Sequence, residues 1–207
     1  MPVNGRPFLE YQFEQLAKQG LTSVLLCVGF GSESICDHAG DGSAWGVQVE
    51  YSLEDADSLL GTGGALVNAL PHLEPEFMTL YGDSYLPVDF RAVADRFHEI
   101  GLPYLMTVFR NEGKWDASNT QIEGDRVAYY NKKALPGETD YIDYGLSVMR
   151  RDVIERYSAA PMPLDMARIQ QELVEEGQVG AMVVTERFYE IGKPEGLSEF
   201  EAWIPGR

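Results

Sequence analysis

Positive charge is scarce in this sequence: 16 Lys and Arg face 33 Asp and Glu, a formal net charge of -17 over 207 residues. An acidic surface of that size repels phosphate backbones and anionic headgroups, which excludes nucleic acid and the membrane as expected partners. A phosphorylated ligand must instead be met by a local group of cations, backbone N–H groups or a metal ion. Cysteine is scarce too. Cys27 lies in an apolar run and Cys36 in a polar stretch, with no CxxC spacing, so neither a disulfide framework nor a zinc site is expected and a reducing cytoplasm fits. No apolar run reaches membrane-spanning length, and no charged leader precedes an apolar segment.

What the sequence does hold is an alternation of strand-like and helix-like stretches, long enough to bury a sizeable core, so one domain over 1–207 is expected. Asn4-Gly5 reads as a turn, and Pro7 as the first turn of a helix whose Leu9, Phe13 and Leu16 share a face until Gly20. Val24, Leu25, Leu26 and Cys27 form a continuous apolar run within 22–28, the mark of a strand covered on both faces in a parallel sheet. Residues 29–46, rich in Gly, Ser and Asp, read as a loop, after which Val47, Val49 and Tyr51 alternate as a strand. A helix is expected over 89–100, with Phe90, Val93, Phe97 and Ile100 on one face and Gly101 as its stop, then a strand over 104–110. This repetition implies a mostly parallel sheet. Beyond Asn111 the pattern becomes a hairpin (120–122 with 127–130), a strand over 141–149, an amphipathic helix over 165–175 and a strand over 181–184.

Two stretches bear on chemistry. Phe77, Met78, Thr79, Leu80 and Tyr81 run into Gly82-Asp83 and stop at Pro87, a buried strand presenting a carboxylate at its carboxyl end, where open α/β sheets bind ligands. Alone, Gly82-Asp83 reads equally as a turn. Leu60-Gly61-Thr62-Gly63-Gly64-Ala65 opens a short apolar helix with three glycines in four positions. Such a start lets a ligand approach the backbone, and its N–H groups favour planar acceptors or anions, although the spacing is neither a Walker loop nor GxGxxG. A flexible loop before a helix is the other reading.

Further pieces join these in chain order: Asn4-Gly5-Arg6-Pro7-Phe8-Leu9-Glu10, Tyr51-Ser52-Leu53-Glu54, Tyr81-Gly82-Asp83-Ser84, Ile142-Asp143-Tyr144-Gly145-Leu146, and Phe188-Tyr189-Glu190-Ile191-Gly192-Lys193-Pro194-Glu195-Gly196-Leu197. Together they resemble the sugar-phosphate nucleotidyltransferase family, most closely its heptose- and hexose-1-phosphate guanylyltransferase branch, over nearly the whole chain. The resemblance implies an α/β, Rossmann-like three-layer sandwich with a mostly parallel mixed sheet. It implies an enzyme joining a sugar 1-phosphate to a nucleoside triphosphate to give a nucleotide sugar and pyrophosphate, and it leaves a homo-oligomer open. Carried over residue by residue, it implies that Gly61, Thr62, Gly63 and Gly64 with Glu54 hold the nucleotide base. Asp83 and Glu190 would hold Mg2+, with Glu190 standing where the family usually has Asp. Lys132 would meet the sugar phosphate, making Asp83, Lys132 and Glu190 the catalytic set, and Asn119, Tyr144 and Gly145 would contact the sugar. From the residues alone, Lys132 reads equally as a solvated charge beside Lys133, and Tyr144-Gly145 as a bulged strand with a core tyrosine. The family opens with a strand, a Gly-x-Gly-Thr-Arg loop and Pro-Lys-Pro, whereas this chain begins at Met1-Pro2-Val3. The expectation is a chain truncated at its start relative to the family; the alternative function is a nucleotide- or sugar-binding protein that has lost the triphosphate loop.

Overall fold

The computed structural model describes residues 1–115 and 117–206. A short ribbon of β1 (Pro2–Val3) and β2 (Arg6–Pro7) leads into α1 (Phe8–Lys18), β3 (Ser23–Val28), α2 (Ser32–Ala39), β4 (Gln48–Leu53) and α3 (Gly61–Asn68). Next come β5 (Glu76–Leu80), β6 (Ser84–Tyr85), α4 (Phe90–Ile100), β7 (Tyr104–Arg110) and the hairpin of β8 (Thr120–Glu123) and β9 (Arg126–Tyr130). The described chain ends with β10 (Tyr141–Arg150), α5 (Arg151–Glu155), α6 (Met166–Glu175), β11 (Val179–Val184), β12 (Tyr189–Glu190) and α7 (Pro194–Trp203). α2 lies in the stretch that reads as a loop. Only Ala39 of its eight residues is buried, so no apolar period marks it, and Gly31 and Gly40 bracket it.

The main sheet runs β5-β10-β7-β11-β9-β8, and β3 and β4 form a separate parallel pair. The expected predominance of parallel pairing is corrected here: within the main sheet only β7 and β11 run parallel. The cause is β10, which returns after the hairpin and enters between β5 and β7 antiparallel to both. Helices cover the two faces. On one, α5 and α6 bring Ile154, Ile169 and Leu173 against Tyr104, Met106 and Val108. On the other, α1 and α4 bring Leu16, Phe90, Val93 and Phe97 against Leu105, Tyr144, Leu146 and Val148. β7 alternates between the two cores and is buried from Tyr104 to Val108; each such Leu or Phe contributes about 1.5–3 kcal/mol relative to exposure. β3 departs from its expected cover on both faces. It pairs only with β4 among the described residues, its Leu25 and Leu26 are half-buried, and Cys27 is exposed.

The segment from Tyr81 to Val88 crosses the carboxyl end of β5 with two residues, Ser84 and Tyr85, paired to β12. Its carbonyls are met from α1, where Gln12, Gln15 and Gln19 lie on one face at helical spacing. The Gln12 carboxamide donates to the Tyr81 and Ser84 carbonyls at 3.1 and 2.9 Å, Gln15 to Leu86 at 2.6 Å and Gln19 to Val88 at 3.0 Å. Gln12 and Gln15 are buried, so these bonds replace water. Gln12→Leu removes both bonds and leaves the Ser84 carbonyl without its side-chain donor, while the Tyr81 carbonyl keeps the Ser84 N–H at 3.2 Å; it is expected to cost about 2 kcal/mol, read as a lower urea midpoint. An unchanged midpoint would show that water takes over both bonds.

Candidate active site

The ladder just described fixes Asp83. Its carbonyl accepts from the Ile191 N–H at 2.9 Å, Ser84 lies opposite Glu190 in the β6–β12 register, and a Cβ on Gly192 would lie 3.2 Å from an Asp83 carboxylate oxygen. The segments carrying Asp83 and Glu190, distant in sequence, are thus neighbours in space. On the far side of Glu190, α7 packs so tightly that a Cβ at Gly196 would overlap the Glu190 carbonyl. Pro194 in the first turn of α7 sets the direction of that helix. Two carboxylates so placed are hard oxygen donors suited to a divalent cation. Among the described residues no group of three or more His, Cys, Asp or Glu has the arrangement of a metal site.

β10 supplies the next part. Its register against β7 shifts between Asp143 and Ser147, and Gly145 in this bulge has φ +89°, a conformation that side chains disfavour. Asp143 and Gly145 therefore turn away from Tyr144. Asp143 accepts from the Gly145 N–H and the Gln170 carboxamide, both at 3.0 Å, and its own N–H donates to the Asn119 side-chain oxygen at 2.9 Å. Burial pushes the Asp143 carboxyl above its ordinary range, with the Gly145 and Gln170 donors opposing. Tyr144 goes the other way. Its side chain is 2% exposed, packed with Phe109 and Phe188 on the α4 face, so the sugar contact expected of its side chain is corrected to a core role.

The glycines after Leu60 sit in a different setting from the open loop expected. The Gly63 and Gly64 N–H groups both donate to the Leu164 carbonyl, at 2.9 and 3.0 Å, and the Leu164 N–H donates to Leu60 at 2.8 Å. Gly61 has φ +79°, and a Cβ there would lie 2.6 Å from the same carbonyl. These glycines admit the 162–165 backbone, which takes the N–H groups assigned to a ligand. Glu54 closes the loop by accepting from the Leu60 N–H at 2.8 Å. Thr62 accepts from the Met166 N–H at 2.9 Å and donates to Asp165 at 3.3 Å, and Lys132 forms an ion pair with Asp165 at 2.8 Å. Although partial burial works against it, Lys132 and the Ala167 N–H hold the Asp165 carboxyl below its ordinary range.

These parts meet at Tyr81. It packs over Gly145, and its hydroxyl is held above its ordinary range by burial first and then by Asp143, Asp165, Asp83 and Glu190. The structure therefore gathers Asp83, Glu190, Asn119, Gly145 and, through Asp165, Lys132 and Thr62 about one tyrosine at the carboxyl end of β5. Tyr81, Asp143, Asp165 and Gln170 escape a reading by motif. Asp143 carries a signal all the same: in the alternation Ile142, Asp143, Tyr144 it is the polar residue between two apolar ones.

Comparison with known proteins decides the class. The family described as Nucleotidyl transferase matches residues 1–202. The chain belongs to the nucleotidyl transferase family. It is 27% identical over 199 residues to D-glycero-alpha-D-manno-heptose 1-phosphate guanylyltransferase of Campylobacter jejuni, covering 96% of this chain and 86% of that one. It is 31% identical over 159 residues to mannose-1-phosphate guanylyltransferase of Mycobacterium tuberculosis, 75% of this chain but 44% of that one, so it spans less than half of the mycobacterial protein. The crystal structure of HddC from Yersinia pseudotuberculosis superposes with a TM-score of 0.79 at 21% identity, over 99% of this chain and 88% of the other. This nucleotidyl transferase thus has the Rossmann-like fold of its relatives, and among the described residues no helix is long and apolar enough to cross a membrane.

Two outcomes follow for this nucleotidyl transferase. Gly61→Ala combines left-handed strain with overlap against Leu164 and should lower stability by about 3 kcal/mol in urea unfolding; a loss of nucleotide affinity at unchanged stability would return the loop to a binding role. Asp143 has a raised folded pKa, so the folded state holds the proton more tightly, and stability present at acid pH is lost as pH rises through that pKa. Asp143→Asn removes this loss, and its amide has a waiting partner in the Gln170 side-chain oxygen, which lacks one. Melting temperatures at pH 4 and pH 7.5 should differ less for Asp143→Asn than for the parent, and an equal difference would place the titration elsewhere.

Proposed function

We propose that this chain transfers a nucleotidyl group, guanylyl first among the candidates, to a heptose or hexose 1-phosphate of manno type, releasing pyrophosphate. The observation that carries this reading is the adjacency of the Asp83 and Glu190 segments beside the Asn119–Asp143–Gly145 bulge, in a chain of this family. The guanylyl and manno preferences rest on what the two curated relatives are named for. A phosphate oxygen of the sugar 1-phosphate attacks the α-phosphorus; one P–O bond forms, the bridging P–O bond to the β-phosphate breaks, and pyrophosphate carries the electron pair away. Such a displacement asks the protein mainly for position and charge neutralisation.

Within this reading, Asp143 accepts from a sugar hydroxyl, Asn119, whose side-chain oxygen is taken by the Asp143 N–H and the Thr120 hydroxyl, donates to one through its amide nitrogen, and Gly145 leaves room for the ring. Lys132, released from or shared with Asp165, meets the sugar phosphate. Glu54 and the Gly61–Gly64 turn form the base-side wall, now as a turn rigidified by Leu164 rather than as free N–H donors. Magnesium is the cation proposed for Asp83 and Glu190, where it would offset the charge of phosphates meeting an acidic site. A cytoplasmic setting, with its nucleoside triphosphates, belongs to the same proposal.

Pyrophosphate release should be highest with GTP among the four common ribonucleoside triphosphates, and with mannose- or heptose-type 1-phosphates over glucose 1-phosphate. Asp83→Asn and Glu190→Gln should each lower kcat about 100-fold or more, as removal of one charge-stabilising group does. Full turnover in both variants would remove the carboxylate pair from the mechanism, and binding without turnover in the parent would favour a binding protein.

A further inference from the structure

Beside Glu190, on the side away from Tyr81, lies a feature that the site above leaves unused. The Arg187 guanidinium is sandwiched between two rings, 3.6 Å from the centre of Trp115 and 4.4 Å from that of Tyr189. Its edges are engaged as well: Nε donates to the Phe188 carbonyl at 3.2 Å, and Nη2 pairs with Glu199 of α7 at 2.6 Å. One cation therefore joins three parts of the chain: the connection between β7 and β8, which carries Trp115, the strand that carries Glu190, and α7. A cavity of about 220 Å³ lies where they meet, with Trp115, Arg187, Phe188, Glu190 and Lys193 in its wall.

The connection is also tied from within. Asn111 is buried at 1% exposure; its carboxamide oxygen accepts from the Trp115 N–H at 3.1 Å and its nitrogen donates to Ser118 at 3.0 Å. Asn119 follows directly and holds the Asp143 N–H. A displacement of Trp115 is thus passed through Asn111 and Ser118 to the residue that anchors the bulge of β10. Trp115 itself is 38% exposed, and its ring stacks on the Arg187 guanidinium.

We propose that Arg187 is a positioning residue: through the faces of Trp115 and Tyr189 it holds the β7–β8 connection against the Glu190 strand and so sets the acceptor side of the site, where Asn119 stands. The inference rests on the sugar-phosphate reading above and adds to it a residue that touches neither substrate. A lysine preserves the charge but not the flat fork that stacks on one ring while bonding at its edges, so Arg187→Lys should be only a partial substitute.

The test labels the whole protein with 5-fluorotryptophan. Trp45, Trp115 and Trp203 give three resonances, and Trp115→Phe identifies that of Trp115. In Arg187→Met the Trp115 resonance should move toward the solvent-exposed position, while that of Trp45 stays in place and reports an intact fold; Trp203 stacks on Tyr189 and is left out as a control. In the transfer assay KM for the sugar 1-phosphate should rise about 10-fold, the loss of a partly desolvated cation–π contact, with kcat and KM for the nucleotide changed by less than about threefold. Arg187→Lys should recover part of the KM, Trp115→Phe should keep it near the parent's, and Arg187→Met combined with Trp115→Ala should be no worse than either alone. An unmoved Trp115 resonance, or a fall in kcat matched by a rise in KM for the nucleotide, overturns the positioning role alone. A parent protein with no turnover, whose Trp115 resonance does not respond to mannose 1-phosphate, overturns the functional reading and the positioning role with it.

Discussion

Three glutamines on one face of α1 carry the segment on which the site is built. From Tyr81 to Val88 the chain has left the main sheet, and only Ser84 and Tyr85 pair with β12. The carbonyls of an extended backbone in that position need donors. Gln12, Gln15 and Gln19 provide them, fixing three side chains to satisfy four carbonyls. Asp83, held between the Gln12 contacts and the Ile191 N–H, owes its place to that row, and Glu190 owes its own to pairing with Ser84.

Charge sets the second constraint. Asp83, Glu190, Asp143 and Asp165 all act on Tyr81, in a chain already at -17. Four acids about one hydroxyl are tolerable because each is answered differently. Asp165 is paired with Lys132 and caps α6; Asp143 is solvated by Gly145 and Gln170 donors inside the fold; Asp83 accepts from the Ser84 hydroxyl at 3.3 Å, and Glu190 lies opposite Ser84 in the β6–β12 pairing. The division suits anionic substrates. Arg187 and Lys193 line the cavity at Glu190 and Lys132 reaches Asp165, so cations stand on both sides of this acidic group.

Much of the architecture is legible in the sequence, and the failures have identifiable causes. β7 is readable because it is buried from Tyr104 to Val108 and carries apolar residues or Thr up to Phe109, and α4 because Phe90, Val93 and Phe97 repeat at helical spacing between Asp89 and Gly101. Strand direction was not readable. β10 is as apolar as a parallel strand because it too is buried on both faces, so composition could not tell its antiparallel insertion from a crossover. α2 escaped because it buries almost nothing. In the candidate site, motif order names Asp83, Glu190, Asn119 and Gly145 without their pairings, and side-chain direction at Tyr144 depends on a bulge that only strand pairing reveals.

The glycine-rich turn shows how a local sequence pattern leaves the partner of its N–H groups unnamed. Gly61, Gly63 and Gly64 were expected to open the backbone to a ligand, and an open backbone is what they provide, but the first occupant is the chain itself. The Leu164 carbonyl takes two of their N–H groups and leaves no room for a Cβ at Gly61. The same docking places Asp165 at the head of α6 against Thr62 and within reach of Lys132. Small residues here therefore serve packing: they let the Gly61–Gly64 turn and the segment leading into α6 share a backbone contact, so that neither can shift without the other. A loop held by that contact is preorganised before any ligand arrives, which lowers the ordering cost of binding even though it contributes fewer free donors.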